Sequence, residues 1–123
     1  MKKLSLASLL TVLALCLSQL GLADVKLPPV IGSGMVLQRD MAVPVWGWAE
    51  AGEEVTVSFA GQTKKTKAGN DGKWTVNLDP LKANGNGSAL TITGKNKITL
   101  ENVLVGEVWI CSGQSNMEWS VRQ

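Results

Sequence analysis

The chain has no histidine and no tyrosine, a single phenylalanine, and only two cysteines. Histidine is the side chain that most readily carries a proton at neutral pH and the commonest transition-metal ligand. Its absence argues against a transition-metal site and leaves any nucleophile without a nearby imidazole base. No cofactor is expected. Asn70-Asp-Gly72 has the flavour of a calcium loop but lacks the further spaced oxygen ligands, so it is read as a turn. Charge of one sign is also scarce. The formal +2 comes from Lys2 and Lys3, and ten basic residues face ten acidic ones in the remainder. With no basic stripe, nucleic acid is not an expected partner. The densest basic cluster, Lys64, Lys65 and Lys67, is expected to keep an edge strand soluble.

What is present begins with an export signal. Lys2 and Lys3 precede the apolar stretch from Leu4 to Leu17, and Gly21-Leu-Ala23 supplies small residues for cleavage before Asp24. Residues 1–23 are therefore read as a signal peptide, with a secreted or periplasmic product and no membrane contact after cleavage. Ser5, Ser8, Thr11, Ser18 and Gln19 dilute the run below what a spanning helix needs. Cleavage removes Cys16, so Cys111 remains alone, no intrachain disulfide can form, and Cys111 is expected to be a buried small hydrophobe.

From Asp24 to Val105 the pattern is one of short alternating strands and tight turns. Val43 and Val45 face one way and Trp46 and Trp48 the other; Val55, Val57 and Phe59 share a face, as do Trp74, Val76 and Leu78. Ala89–Thr93 and Ile98–Leu100 complete the set around a turn at Gly94-Lys-Asn96. Asn70-Asp-Gly72 predicts a hairpin, and Asn84-Gly-Asn-Gly87 a flexible turn. Residues 24–40, with Pro28, Pro29, Gly32 and Gly34, read as an extended lead-in or edge strand. No segment carries a helical period. The expectation is a mainly β chain: an antiparallel β-sandwich, Ig-like or jelly-roll-like, over residues 24–105. Most of the five tryptophans are expected to pack inside it.

The character changes near Gly106. Val103 to Cys111 is almost continuously apolar, as in a strand covered on both faces, usually in a parallel sheet. It leads into Ser112-Gly-Gln-Ser-Asn116, a small-residue turn around Ser115. Apolar strand, sharp turn and helix start is one way hydrolases present a nucleophilic hydroxyl. Met117 stands where the second glycine of a G-x-S-x-G elbow would be, and spacing alone favours an ordinary turn serine.

The block Gly106-Glu-Val-Trp-Ile-Cys-Ser-Gly-Gln-Ser-Asn-Met-Glu-Trp119 resembles the nucleophile block of sialate O-acetylesterases and related carbohydrate acetylesterases of the SGNH (GDSL-like) hydrolase superfamily. Gly34-Met-Val-Leu-Gln-Arg39, Val43-Pro-Val-Trp-Gly-Trp-Ala49, Gly52-Glu-Glu-Val-Thr-Val57 and Gly72-Lys-Trp-Thr-Val76 are similar to that family's N-terminal β-domain. The resemblance implies an acetylated carbohydrate as substrate, a sialic acid or a polysaccharide. It also implies Ser115 as nucleophile, with its backbone N–H as one oxyanion donor. Trp119, close behind the nucleophile, is a candidate substrate contact. The histidine base, its acidic partner and the remaining oxyanion donors would come from later blocks. Residues 106–123 are thus expected to open a truncated α/β SGNH-type catalytic domain, inactive by itself. The rival reading is a secreted carbohydrate-binding or adhesion module without catalysis.

Overall fold

The computed structural model describes residues 24–113. Seven strands run in chain order: β1 (Val36–Gln38), β2 (Val43–Trp48), β3 (Glu54–Phe59), β4 (Gln62–Lys67), β5 (Lys73–Leu78), β6 (Asn84–Thr93) and β7 (Lys97–Gly106). Five of them form a sheet in the order β1-β7-β6-β3-β4, while β2 and β5 pair separately. Among the described residues there is no helix. The all-β expectation holds, and every pairing but one is antiparallel. The exception is β1, which lies parallel to β7 with Val36 opposite Leu104 and Gln38 opposite Gly106.

Alternation builds the core. Val55, Val57 and Phe59 of β3, with Leu90 and Ile92 of β6, point in from the larger sheet. Val43 and Val45 of β2 with Trp74, Val76 and Leu78 of β5 point in from the smaller one. Each fully buried aliphatic side chain of this kind contributes about 1.5–3 kcal/mol relative to exposure. On the inward face of β2 the position after Val45 is Gly47, opposite Trp74. A Cβ there would run into the Lys26 carbonyl and come 3.0 Å from the Trp74 ring, so the glycine makes room for the indole. Lys26 also exchanges backbone hydrogen bonds with Trp48, at 2.8 and 2.9 Å, which closes the free edge of β2.

Turns explain the topology. Ala60 and Gly61, both at positive φ (48° and 78°), join β3 to β4, as a two-residue hairpin of the favoured twist requires. The Asn70-Asp-Gly72 turn has a different role from the predicted hairpin. β4 pairs with β3 and β5 with β2, so this turn carries the chain from one sheet to the other. The Gly72 N–H donates to Gly69 O and the Lys73 N–H to Asp71 Oδ1, which holds the corner tight. β4 lies at the sheet edge, and Lys64 and Lys65 pair there with Asp79 and Glu54, in keeping with an edge kept soluble.

Two further expectations are corrected in β6 and β7. Asn84–Gly87 belongs to β6 and is not a free turn. Between the pairs Leu90/Leu100 and Ser88/Val103, β7 carries one extra residue, a bulge made possible by Asn102 at φ 55°. Gly87 lies against it: a Cβ at that position would press on the Asn102 side chain and backbone. The bulge flips the parity of β7, so that Leu100, Val103 and Val105 all face the core.

The expected Val103–Cys111 strand, covered on both faces, is likewise not what forms. Its first part is the end of β7 inside the sandwich, and residues 107–113 are outside any strand. The reason is that both neighbours run out. β6 begins at Asn84, opposite Val105, and β1 ends at Gln38, opposite Gly106.

Candidate functional site

Ser115 and Trp119, the residues singled out for chemistry and substrate contact, lie outside the described residues. What the structure describes is the approach to them. β7 delivers the chain to Gly106, and residues 107–113 leave the sandwich beside the C-terminal end of β1.

The parallel ladder between β1 and β7 sets the geometry of that exit. The Leu104 N–H donates to Met35 O at 3.0 Å, and the Arg39 N–H donates to Gly106 O at 2.9 Å. Beyond this point the Gln38 side chain takes over. Its Oε1 accepts the Val108 N–H at 2.7 Å. Its Nε2 reaches Glu107 Oε2 at 3.2 Å and, more weakly, Arg39 O at 3.4 Å. Around it runs a short chain of charges. Arg39 Nε binds Asp40 and lies 3.8 Å from Glu107 Oε1, while Lys82 Nζ lies 2.9 Å from the other Asp40 oxygen. Hydrogen bonds from Lys82 and Arg39 hold the Asp40 carboxyl below the usual aspartate range, and the bond to Asp40 raises Arg39. All these side chains are solvent-exposed to a substantial degree, so the charges contribute direction more than stability.

The apolar residues of the exit find no cover among the described residues. Val108 is 48 % exposed, Trp109 82 % and Ile110 94 %. Cys111 is exposed too, contrary to the expectation of a buried thiol, because the strand meant to enclose it stops five residues earlier. The tryptophans divide unexpectedly as well. Trp74 is buried, but Trp46 and Trp48 stay 39 % and 43 % exposed on the outer face of β2. Their cross-strand neighbours there are Thr75 and Lys73.

A cleft of about 440 Å³ opens elsewhere, between the β3–β4 hairpin and the start of β6, lined by Gln62, Lys82, Asn84, Asn86 and Ser88 among others. Among the described residues Lys82 is its sole ionisable group, and no acid–base pair of theirs converges in it. Asp71 is engaged with Lys73, which suits a turn, and among the described residues no three acidic, histidine or cysteine side chains gather as a metal cluster.

Sequence reasoning quoted Gly34–Arg39 and Gly106–Trp119 as separate blocks and gave Gln38 no role. The parallel β1–β7 pairing joins them. Glu107, too, meets Gln38 and Arg39. No local pattern announces these contacts, since the partners are about seventy residues apart.

Comparison with known proteins gives a consistent set. No family model matches the chain. Sialate O-acetylesterase from Homo sapiens is 38% identical over 105 residues, covering 76% of this chain and 20% of that protein. The Rattus norvegicus sialate O-acetylesterase is 38% identical over 104 residues, covering 76% of this chain and 19% of that protein. The crystal structure of a carbohydrate acetylesterase from Xanthomonas citri superposes with a TM-score of 0.74 at 40% identity, covering 78% of this chain and 22% of that one. The chain thus spans about a fifth of the length of the curated relatives it matches.

Proposed function

We propose that this chain, a homologue of the sialate O-acetylesterases and carbohydrate acetylesterases, is the N-terminal part of a secreted serine esterase that removes O-acetyl groups from carbohydrates. The observation that carries the reading is the 38–40% identity, shared with vertebrate and bacterial relatives alike. In this reading residues 1–23 are the export signal and 24–105 a β-sandwich accessory domain. Residues 106–123 open the SGNH-type catalytic domain, with Ser115 as its nucleophile and Trp119 beside the substrate.

The chemistry is acyl transfer. The Ser115 hydroxyl attacks the acetyl carbonyl, the sugar oxygen leaves with a proton, and water then releases acetate from the acyl-serine. The Ser115 N–H supplies one hydrogen bond to the oxyanion. A proton carrier must stand against the serine throughout, and these 123 residues contain no histidine. The polypeptide 24–123 is accordingly expected to give no esterase turnover. The full-length gene product is expected to release acetate from O-acetylated sialic acids or acetylated polysaccharide. Ser115→Ala should lower that rate by roughly 10⁴-fold or more. Hydrolysis that survives Ser115→Ala undiminished sinks the proposal.

A second reading has one observation in its favour. Trp46 and Trp48 project from the outer face of β2, a geometry suited to stacking on sugar rings, so the sandwich is also a candidate carbohydrate-binding module. Titrating the tryptophan fluorescence of the 24–123 polypeptide with acetylated and deacetylated oligosaccharides tests it. A saturable change lost in Trp46→Ala supports binding, and an unresponsive signal removes the reading.

A further inference from the structure

The β1–β7 ladder has an irregularity at its end. Flanking the paired residues Val36–Gln38 and Leu104–Gly106, its end bonds join the Met35 carbonyl to the Leu104 N–H and the Gly106 carbonyl to the Arg39 N–H. Continued at the two-residue spacing of a parallel pair, the next bond would join the Val108 N–H to the Arg39 carbonyl. Those two groups do not meet. The Gln38 carboxamide lies between them, accepting from Val108 N–H through Oε1 and facing Arg39 O with Nε2. One side-chain amide therefore stands in for a missing rung, satisfying both backbone groups while the exit segment departs from β1.

The orientation of that amide is determined. Its Nε2 faces two acceptors, Arg39 O and Glu107 Oε2, and its Oε1 faces the one donor, Val108 N–H. Turned over, it would set oxygen against a carboxylate and NH₂ against N–H. Arg39 steadies Glu107 from the other side and is itself tied through Asp40 to Lys82. Holding the Gly106 carbonyl and the Val108 N–H together fixes rotation about the intervening residue. It fixes which faces the following side chains take, since a slip of one residue would reverse them.

Ser115 is seven residues beyond Val108, at most about 25 Å of extended chain. We infer that Gln38 is a positioning residue for Ser115: its inserted carboxamide sets the register and direction in which the nucleophile-bearing segment leaves the sandwich. The inference rests on the proposal that Ser115 is the nucleophile. It assigns to the β-sandwich a part in setting the reaction geometry, beyond that of an attached module.

The test uses the full-length gene product and two variants: Gln38→Leu, which keeps the bulk and removes all three side-chain hydrogen bonds, and Gln38→Asn, too short to span the gap. The probe is diisopropyl fluorophosphate, with the labelled residue located by peptide mapping. In the unaltered protein, labelling at Ser115 and protection of the Val108 amide from hydrogen exchange are expected. In both variants the labelling rate and kcat should fall roughly 10- to 100-fold, as expected for a nucleophile displaced by about an ångström. KM should stay within about twofold, and Val108 protection should be lost while Leu90 and Ile92 stay protected, which separates displacement from unfolding. Labelling at the unaltered rate in a variant that has lost Val108 protection overturns the positioning role and leaves the nucleophile in place. Retention of Val108 protection in both variants overturns it too. Absence of label at Ser115 in the unaltered protein refutes the functional proposal itself, and the positioning role goes with it.

Discussion

Residues 97–106 and residues 107–113 are consecutive, both carry apolar side chains, and they meet opposite fates. In β7, Leu100, Val103 and Val105 are buried; three to five residues further on, Val108, Trp109 and Ile110 are exposed. Hydrophobicity does not separate them. Neighbours do: β7 has β6 on one edge and β1 on the other as far as Val105 and Gly106, and there both partners end. An apolar run becomes a strand only for as long as adjacent backbones can satisfy its N–H and C=O groups. Past that limit the Gln38 side chain satisfies one more N–H, at Val108.

The sharpest way to break this contrast is to remove matched aliphatic groups on either side of it. Leu90→Ala, in the fully buried centre opposite Leu100, should cost about 2–5 kcal/mol by urea denaturation of the 24–123 polypeptide. Ile110→Ala should change stability by no more than about 0.5 kcal/mol. Comparable losses at both positions would mean that residues 107–113 pack as firmly as β7 does.

Next in size is Gly47→Ala, expected to cost about 1–3 kcal/mol, because the added methyl meets both the Lys26 carbonyl and the Trp74 ring. Gly32→Ala is the control, since nothing lies within 4 Å of a Cβ at that position and its φ is not positive. The melting temperatures of the two variants decide it, and equal values would remove Gly47 from its packing role. A smaller effect concerns association. With Val108, Trp109 and Ile110 open to solvent, the 24–123 polypeptide should self-associate more than one ending at Gly106. Ile110→Asp should shift it toward the shorter chain's behaviour in sedimentation velocity. Strictly monomeric behaviour in all three would show that this apolar segment is already covered.

These contrasts also show what the sequence disclosed. The two-residue alternation at Val43–Trp48, Val55–Phe59 and Trp74–Leu78 named the inward faces correctly, because one buried face is all a sandwich strand needs. Partner choice was not legible. Asn70-Asp-Gly72 has the chemistry of a hairpin turn, yet a local turn specifies only that the chain reverses, not which strands then pair. Asn84–Gly87 looked like a loop because glycine is the residue least committed to a strand; its role in β6 depends on Asn102, fifteen residues beyond Gly87. The exposed tryptophans were missed for a related reason. Trp46 and Trp48 were placed correctly opposite the valines, and their composition alone suggested burial. Of the candidate site, the serine block was visible as a motif, while the Gln38 contact that joins it to β1 was invisible because pairing across about seventy residues leaves no local trace.

The smallest expected effect tests the charged surround of the exit. The Asp40 carboxyl is held below the usual aspartate range, first by the hydrogen bond from Lys82 and then by that from Arg39. A lowered value in the folded state means the unfolded chain binds the proton more readily. The stabilisation is therefore complete above the unfolded aspartate value of roughly pH 4 and is lost as pH falls through the lower folded value. Asp40→Asn should thus lower the melting temperature slightly at neutral pH, and the gap from the unaltered chain should close in acid. The variant keeps some acid sensitivity of the same sign, because the backbone N–H of Lys73 also lowers Asp71. Added salt should shrink the neutral-pH gap, since the pairs are exposed. A gap that widened on acidification would reverse the sign assigned to Asp40. The charges would then be holding the exit against the fold, and the contrast between β7 and the segment that follows it would rest on Gln38 alone.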